Sequence, residues 1–222
     1  MAVIEVGGQR LTLLAERAAL LVESATLLVA DAHIGKAVSF RRLGVPVPQG
    51  TTTQTLAALT RLVERWSVRH IVFLGDLLHS ARAFAPATMQ AVQRWRTAHA
   101  GLRLTLVRGN HDDRAGDPPV ALGFEVVDEP LRLGGLALCH HPQAVAAAYV
   151  LAGHLHPCLQ LTGRADDRLR LPCFWFGPHS GVLPAFGAFT GMHPVRPAAG
   201  DRLFAVTADQ VLEVPARGAA AG

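Results

Sequence analysis

A single α/β domain is the fold this sequence predicts, and three observations predict it. Its 222 residues suit one substantial core rather than several. Half of them are hydrophobic and 17% are charged, which excludes intrinsic disorder and leaves enough apolar surface to bury. The middle of the chain alternates apolar runs of strand length with segments of helical periodicity, as layered α/β proteins do.

Taken in order, Val3–Val6, Leu11–Leu14, Ala19–Glu23 and Thr26–Ala30 are short β-type runs separated by Gly7-Gly8 and by polar breaks, and they read as strands. Pro48-Gln49-Gly50 then interrupts the chain ahead of Thr51–Trp66. There Leu56, Leu59, Leu62, Val63 and Trp66 recur at the spacing of one helix face. His70–Leu74 reads as a buried strand, Pro86–His99 as a second helix and Leu102–Val107 as another strand. From Phe124 onward the pattern changes to strand-like segments and tight turns, namely Leu131–Leu133, Leu136–Cys139, Tyr149–Ala152, Leu169–Phe176, Leu203–Val206 and Val211–Val214. A short turn near Gln143–Ala148 is the only helix-like exception. One domain over residues 1–214 is expected, followed by a small polar tail, 215–222, that should be frayed.

Cys139, Cys158 and Cys173 are odd in number and lack C-x-x-C spacing, so neither a disulfide framework nor a zinc ribbon is indicated. That usage fits a reducing cytosol. Without a basic leader or an apolar run of the roughly 18 residues a span needs, a cytoplasmic protein with no membrane partner is expected. The net charge of +4, carried by arginines and the lone Lys36, permits a nucleic-acid partner but is too mild to demand one. The 11 histidines are less ordinary and direct attention to metal or acid–base chemistry.

In α/β folds functional groups gather just past the carboxyl ends of strands, so the residues directly after each apolar run are informative. Thr26–Ala30 leads into Asp31-Ala32-His33, and Ile71–Leu74 into Gly75-Asp76-Leu77-Leu78-His79. Leu104–Arg108 leads into Gly109-Asn110-His111-Asp112. Leu136–Cys139 runs into His140-His141, and Tyr149–Ala152 into Gly153-His154-Leu155-His156. Any one of these is more often an ordinary turn than a ligand pair. Five at five strand ends imply a shared site, because burying so many carboxylates and imidazoles together is costly unless cations ligate them. Counting Asp, His, Asp, Asn, His, His and His over the five ends, two carboxylates, one amide and four imidazoles without thiolate suit Mn²⁺, Fe²⁺ or Zn²⁺. Seven ligands exceed one ion's needs and point to two, the arrangement that activates a water for in-line attack on phosphorus.

The ordered set Asp-x-His, Gly-Asp-x-x-His, Gly-Asn-His-Asp, His and Gly-His-x-His, from Asp31 to His156, resembles the calcineurin-like metallophosphoesterase superfamily. That resemblance implies a four-layer α-β-β-α sandwich, two mixed sheets flanked by helices. It implies that Asp31, His33, Asp76 and His156 hold one metal, and that Asp76, Asn110, His140 and His154 hold the other, with Asp76 bridging. His111 falls where the family keeps its catalytic histidine, a group that stabilises charge or protonates the leaving oxygen. His79 falls where a side chain orients it. His140 and His141 compete for one ligand slot, and the first position after the strand favours His140; His141 is otherwise a loop histidine or a substrate contact.

Asp31-Ala32-His33-Ile34-Gly35-Lys36 and the stretch Phe40-Arg41-Arg42-Leu43-Gly44-Val45-Pro46-Val47-Pro48-Gln49-Gly50 look like the small ligase-associated metallophosphoesterases, encoded beside a DNA ligase and a helicase. Ala32 and Ile34 are mild apolar departures beside the ligands. This likeness implies a Mn²⁺-dependent DNA endonuclease of repair, acting on single-stranded or flapped DNA. Lys36, Arg41 and Arg42 then read as a phosphate-facing lip, the bland alternative being a solvated basic loop. Arg82, after His79, and Arg114, after Asp113, are placed to extend that rim, but surface arginines are common in a chain with 20 of them and neither is assigned to it. Phe40, Trp66 and Trp95 read as core, with Phe40 alone on a site loop. The competing functions are a phosphomonoesterase or nucleotide pyrophosphatase on the same scaffold, and a non-catalytic scaffold, which the complete ligand set disfavours.

Overall fold

The computed structural model describes residues 1–37, 40, 44, 50–162, 168–187 and 190–215. Arg41, Arg42 and the tail from 216 onward, for which the sequence suggested a phosphate lip and fraying, lie outside the described residues.

The first sheet has seven strands in chain order: β1 (Ala2–Val6), β2 (Gln9–Leu13), β3 (Ala19–Leu21), β4 (Thr26–Val29), β5 (His70–Leu74), β6 (Arg103–Val107) and β7 (Phe124–Val127). β1 to β4 pair antiparallel through tight connections. β4 to β7 pair parallel, because helices cross between them: α1 (Thr51–Trp66) joins β4 to β5 and α2 (Pro86–Ala98) joins β5 to β6. α1 starts after Gly50 in a left-handed conformation and buries Leu56, Leu59 and Leu62. α2 starts on Pro86, where a missing N–H costs nothing, and buries Val92 and Trp95.

The second sheet is built from β8 (Leu131–Leu133), β9 (Leu136–Leu138), β10 (Tyr149–Ala152), β11 (Pro157–Thr162), β12 (Arg168–Phe176), β13 (Ser180–Val182), β14 (His193–Pro194), β15 (Arg202–Val206) and β16 (Val211–Val214). It too is mixed: β9, β10 and β13 run parallel, and β8, β11, β12, β15 and β16 add antiparallel pairs.

Two apolar layers hold this arrangement. Leu27, Val29, Ile71, Phe73, Leu104 and Leu106 of the first sheet meet α1 and α2. The alternate residues Leu28, Val72, Leu74 and Val107 face the second sheet, meeting Leu138, Leu151, Phe174 and Phe204. Each central strand is therefore apolar on both faces, the continuous pattern expected of a covered parallel sheet. Among the described residues, Val145 and Ala148 cover the far face of the second sheet at Ala137, Cys139, Val150 and Ala152, and α1 and α2 stand on the first sheet. Trp66 and Trp95 join the helix-side core, whereas Phe40 is half-buried and packs its ring 6.1 Å from that of His79. Among the described residues no helix is long and apolar enough to cross a membrane.

Candidate metal centre

The carboxyl ends of β4, β5 and β6 lie side by side in one sheet, and those of β9 and β10 in the other. The loops after all five strands meet at this edge. His33 N–H donates to the Asp76 carbonyl and Ile34 N–H to that of Leu77, joining the first two loops. The two sheets are joined by His154 N–H donating to Asp31 Oδ2 at 2.9 Å, and by the His140 ring, whose Nδ1 lies 3.0 Å from the Leu74 carbonyl.

All seven residues proposed as ligands from the sequence come together here. Asp31, His33, Asp76 and His140 are buried, and Asn110, His154 and His156 are half-buried. Potential donor atoms of Asp31, His33 and His156 lie within 4.8 Å of one another, as do those of Asp31, Asp76 and His140. His33 Nε2 and His156 Nε2 face each other at 3.4 Å, and His140 Nε2 lies 3.0 Å from Asn110 Oδ1 and 3.1 Å from His154 Nδ1. Ligands about 2.1 Å from a common ion are separated by about 3.0–3.4 Å along the edge of their polyhedron, so these spacings suit divalent metal. Asp76 turns its two oxygens to different groups: Oδ1 is 3.5 Å from His140 Nε2, and Oδ2 is 3.9 Å from His33 Nε2.

Two further features fit a cation. Asp31 Oδ1 is fully buried without a hydrogen-bond partner, 3.4 Å from His156 Nε2, and such an oxygen is costly to leave unsatisfied. The rings of His140 and His156 are also fixed by backbone carbonyls, those of Leu74 and Gly191, which can only accept from an Nδ1–H. Their Nε2 lone pairs are thereby aimed inward, the usual arrangement around metal-binding histidines. Burial holds His33 and His154 toward the neutral form that can donate a lone pair.

Backbone strain concentrates here as well. Asp31, His33, Asp76, His154 and His156 all have φ between 45° and 67°, a left-handed region side chains other than glycine rarely occupy. Such strain persists only where the surroundings over-determine it, and it clusters at functional sites. Two glycines complete the packing. A Cβ on Gly75, whose φ is 76°, would lie 2.1 Å from His140 Nδ1, and one on Gly109 would lie 2.5 Å from Asp76 Oδ1.

His111 stands beside the ligands. Its Nδ1–H donates to the backbone carbonyl of His79 at 2.7 Å, and its Nε2 lies 3.9 Å from Asp76 Oδ2. The rings of His79 and His111 stack at 4.9 Å. His79 thus reaches His111 through its carbonyl as well as its ring face, and its own buried Nδ1 has no partner among the described residues. Burial, with Lys36 and His111 nearby, lowers the His79 pKa to about 4.

His141 lies at the rim: its side chain is 42% exposed, its ring is 4.5 Å from that of His154, and Nδ1 bonds Glu129 Oε1 at 2.8 Å. His140 is the inward member of the pair. Lys36 is half-buried with its ammonium 5.8 Å from the Phe40 ring centroid, and burial lowers its pKa against the opposing pull of Asp31 and Asp76. Arg82 and Arg114 are exposed.

Sequence reasoning missed two positioning groups. Glu129 accepts the backbone N–H groups of both His140 and His141, at 2.7 and 2.9 Å. Burial alone would raise its pKa, but these bonds and the His141 side chain bring it below the ordinary value. Buried Asp112 accepts N–H groups from Gly109 (3.0 Å), Leu78 (3.1 Å) and Leu77 (3.4 Å), tying the loop after β6 to the loop after β5. Gly109 opens α3 (Asn110–Ala115), so Asp112 also caps the helix carrying Asn110 and His111. Burial raises its pKa to about 6 while the N–H bonds pull the other way. Asp112→Ala should lower folding stability by about 3 kcal/mol, since it orphans buried donors. Urea unfolding tests this, and an unchanged midpoint would show that the tie is dispensable.

The solved structure of the nuclease MPE of Pseudomonas putida is similar over 96% of this chain and 99% of its own, at 45% sequence identity and a TM-score of 0.85. YfcE, a phosphoesterase from E. coli, aligns over 85% of this chain and 97% of its own at 14% identity and a TM-score of 0.43. No protein-family model and no curated protein sequence matches the chain.

Proposed function

Because the chain belongs to the calcineurin-like metallophosphoesterase superfamily and is a metal-dependent phosphoesterase, we propose that it cleaves DNA phosphodiesters as a repair endonuclease using two divalent cations, Mn²⁺ by preference. The observation that carries this reading is the convergence of seven donors from five strand ends at spacings suited to metal. On it, Asp31, His33, Asp76 and His156 hold one cation, and Asp76, Asn110, His140 and His154 the other, with Asp76 common to both. The absence of thiolate from the donor set favours Mn²⁺ or Fe²⁺, with Zn²⁺ also suited. DNA as substrate is supported by the 45% identity to a nuclease, spanning both chains.

When bound, the cations supply Lewis acidity toward the phosphoryl oxygens and a water nucleophile at neutral pH. The chain's own part is positioning and proton handling. His111, anchored through Nδ1–H to the His79 carbonyl, keeps Nε2 free on the side of Asp76. There it holds a proton for the departing oxygen or a positive charge against the equatorial oxygens. Ring stacking by His79 limits rotation of His111, and a fixed general acid is worth more than a mobile one. Lys36 stands at the rim as a contact for a strand phosphate.

Purified protein with Mn²⁺ should hydrolyse bis-p-nitrophenyl phosphate in preference to p-nitrophenyl phosphate, and should nick circular as well as linear DNA. Preference for the monoester would favour a phosphomonoesterase. Diester hydrolysis without cleavage of any DNA form would move the substrate to nucleotides.

A further inference from the structure

Arg17 lies in the turn between β2 and β3, where its own N–H donates to the Leu14 carbonyl and Leu14 N–H returns to Ala18. Its φ of 64° is left-handed, and its side chain is half-buried. Several other arginines have carboxylate partners: Arg108 has Asp117 and Asp128, Arg103 has Glu125, Arg202 has Glu213 and Arg10 has Glu23, while others such as Arg82 and Arg114 are exposed to water. Arg17 has no carboxylate and no side-chain hydrogen-bond partner among the described residues, and the adjacent Glu16 is engaged by Arg65 at 3.7 Å. Burial therefore lowers its pKa with no opposing charge. A guanidinium held partly out of water without a counter-ion is a cost that an anion would remove.

The guanidinium also borders the right space. Arg17 lines a cleft of about 300 Å³ with His156, Pro157, Pro172, Ala185, Thr190 and Met192, so this cleft opens directly onto a candidate metal ligand. It also lines a second cleft of about 510 Å³, walled by Glu16, Gln54, Arg61 and Phe186, in which Glu16 is engaged by Arg65. Arg17 thus borders both clefts, one of them shared with His156.

We propose that Arg17 binds a backbone phosphate of the substrate strand flanking the one that is cut, in the cleft it shares with His156. The inference rests on the reading of the protein as a nuclease and adds a path for the strand. Arg17 is a binding residue for substrates longer than one phosphodiester, and a guanidinium fork suits two oxygens of one phosphate.

Arg17→Gln retains most of the stem and removes the charge. Binding of a fluorescein-labelled single-stranded oligonucleotide, measured by anisotropy without divalent metal, should weaken about tenfold. Its log Kd against log salt slope should fall by about 0.7, the value for one single-strand phosphate contact. With Mn²⁺ present, KM for the oligonucleotide should rise, whereas bis-p-nitrophenyl phosphate, which has no flanking phosphate, should change by less than about threefold. Arg17→Lys, which keeps the charge but not the fork, should recover part of the affinity, and thermal melting of each variant reports folding independently. Wild-type affinity and salt slope in Arg17→Gln would overturn the proposal while leaving the nuclease reading intact. Equal losses on the oligonucleotide and the small diester would also overturn it, by making Arg17 part of the catalytic frame. If the wild-type protein neither bound nor cut DNA, the nuclease reading would fall and the strand path with it.

Discussion

Asp76→Asn should reduce Mn²⁺-dependent diester hydrolysis by at least about a thousandfold, given that even neighbours of metal ligands are worth 10–100-fold. The apoprotein should remain as stable as the parent or become more stable. Asp76 is 2% exposed, and its two oxygens face different groups of donors, so its charge matters most when cations are present. Without them it is a desolvated carboxylate in a pocket that also buries Asp31, and removing one negative charge relieves that cost. An asparagine oxygen can still accept the His111 N–H that Asp76 Oδ1 accepts at 2.9 Å, so the loops need not separate. Melting curves with and without Mn²⁺ give a readout independent of turnover. A ligand at about a hundred times its Kd stabilises the fold by about 2.7 kcal/mol, and Asp76→Asn should lose most of that increment. Retention of the full Mn²⁺-induced rise would remove Asp76 from the metal-holding set.

His111→Ala should separate chemistry from metal binding. The expected loss in kcat on DNA is about 10²–10⁴-fold, the range for a positioned general acid. The Mn²⁺-induced rise in melting temperature should persist, because the backbone N–H that holds Asp76 is unaffected by the substitution. The loss should be smaller on bis-p-nitrophenyl phosphate than on DNA, because p-nitrophenolate departs without a proton whereas a sugar alkoxide requires one. Equal losses on both substrates would assign His111 to charge stabilisation, and undiminished turnover on DNA would deny it any role in the reaction.

The candidate site was legible in the sequence because its residues stand at strand ends. β4, β5, β6, β9 and β10 are short apolar runs, and each polar cluster begins where such a run stops. The first helix matches at both ends, Thr51 and Trp66, since three leucines on one face specify it. Other elements carried no comparable signal. β13 contains only Ser180-Gly181-Val182 and lacks the apolar run by which a strand is recognised, and β11 opens on Pro157, a poor strand residue, ahead of a brief Leu159-Gln160-Leu161-Thr162 alternation. α3 spans Asn110–Ala115, in which Ala115 is the only apolar residue, and it is held by Asp112 and by the loops beneath it. Glu129 is likewise unreadable as a support for His140, because eleven residues and the β8–β9 hairpin separate them.

By itself the sequence determined the α/β class, the donor types and the strand ends that deliver them, because apolar periodicity and local order are properties of contiguous residues. Tertiary structure decided how those donors meet: which oxygen of Asp76 faces which group, and that His140 rather than His141 turns inward. It also decided that His79 holds His111 by its carbonyl. These are outcomes of two sheets packed face to face, with their loops meeting at one edge. Five non-glycine residues are forced into left-handed backbone there, and two glycines admit the His140 ring and the Asp76 carboxylate where a Cβ would not fit. Local propensity opposes such conformations, so only the packing of distant strands could impose them.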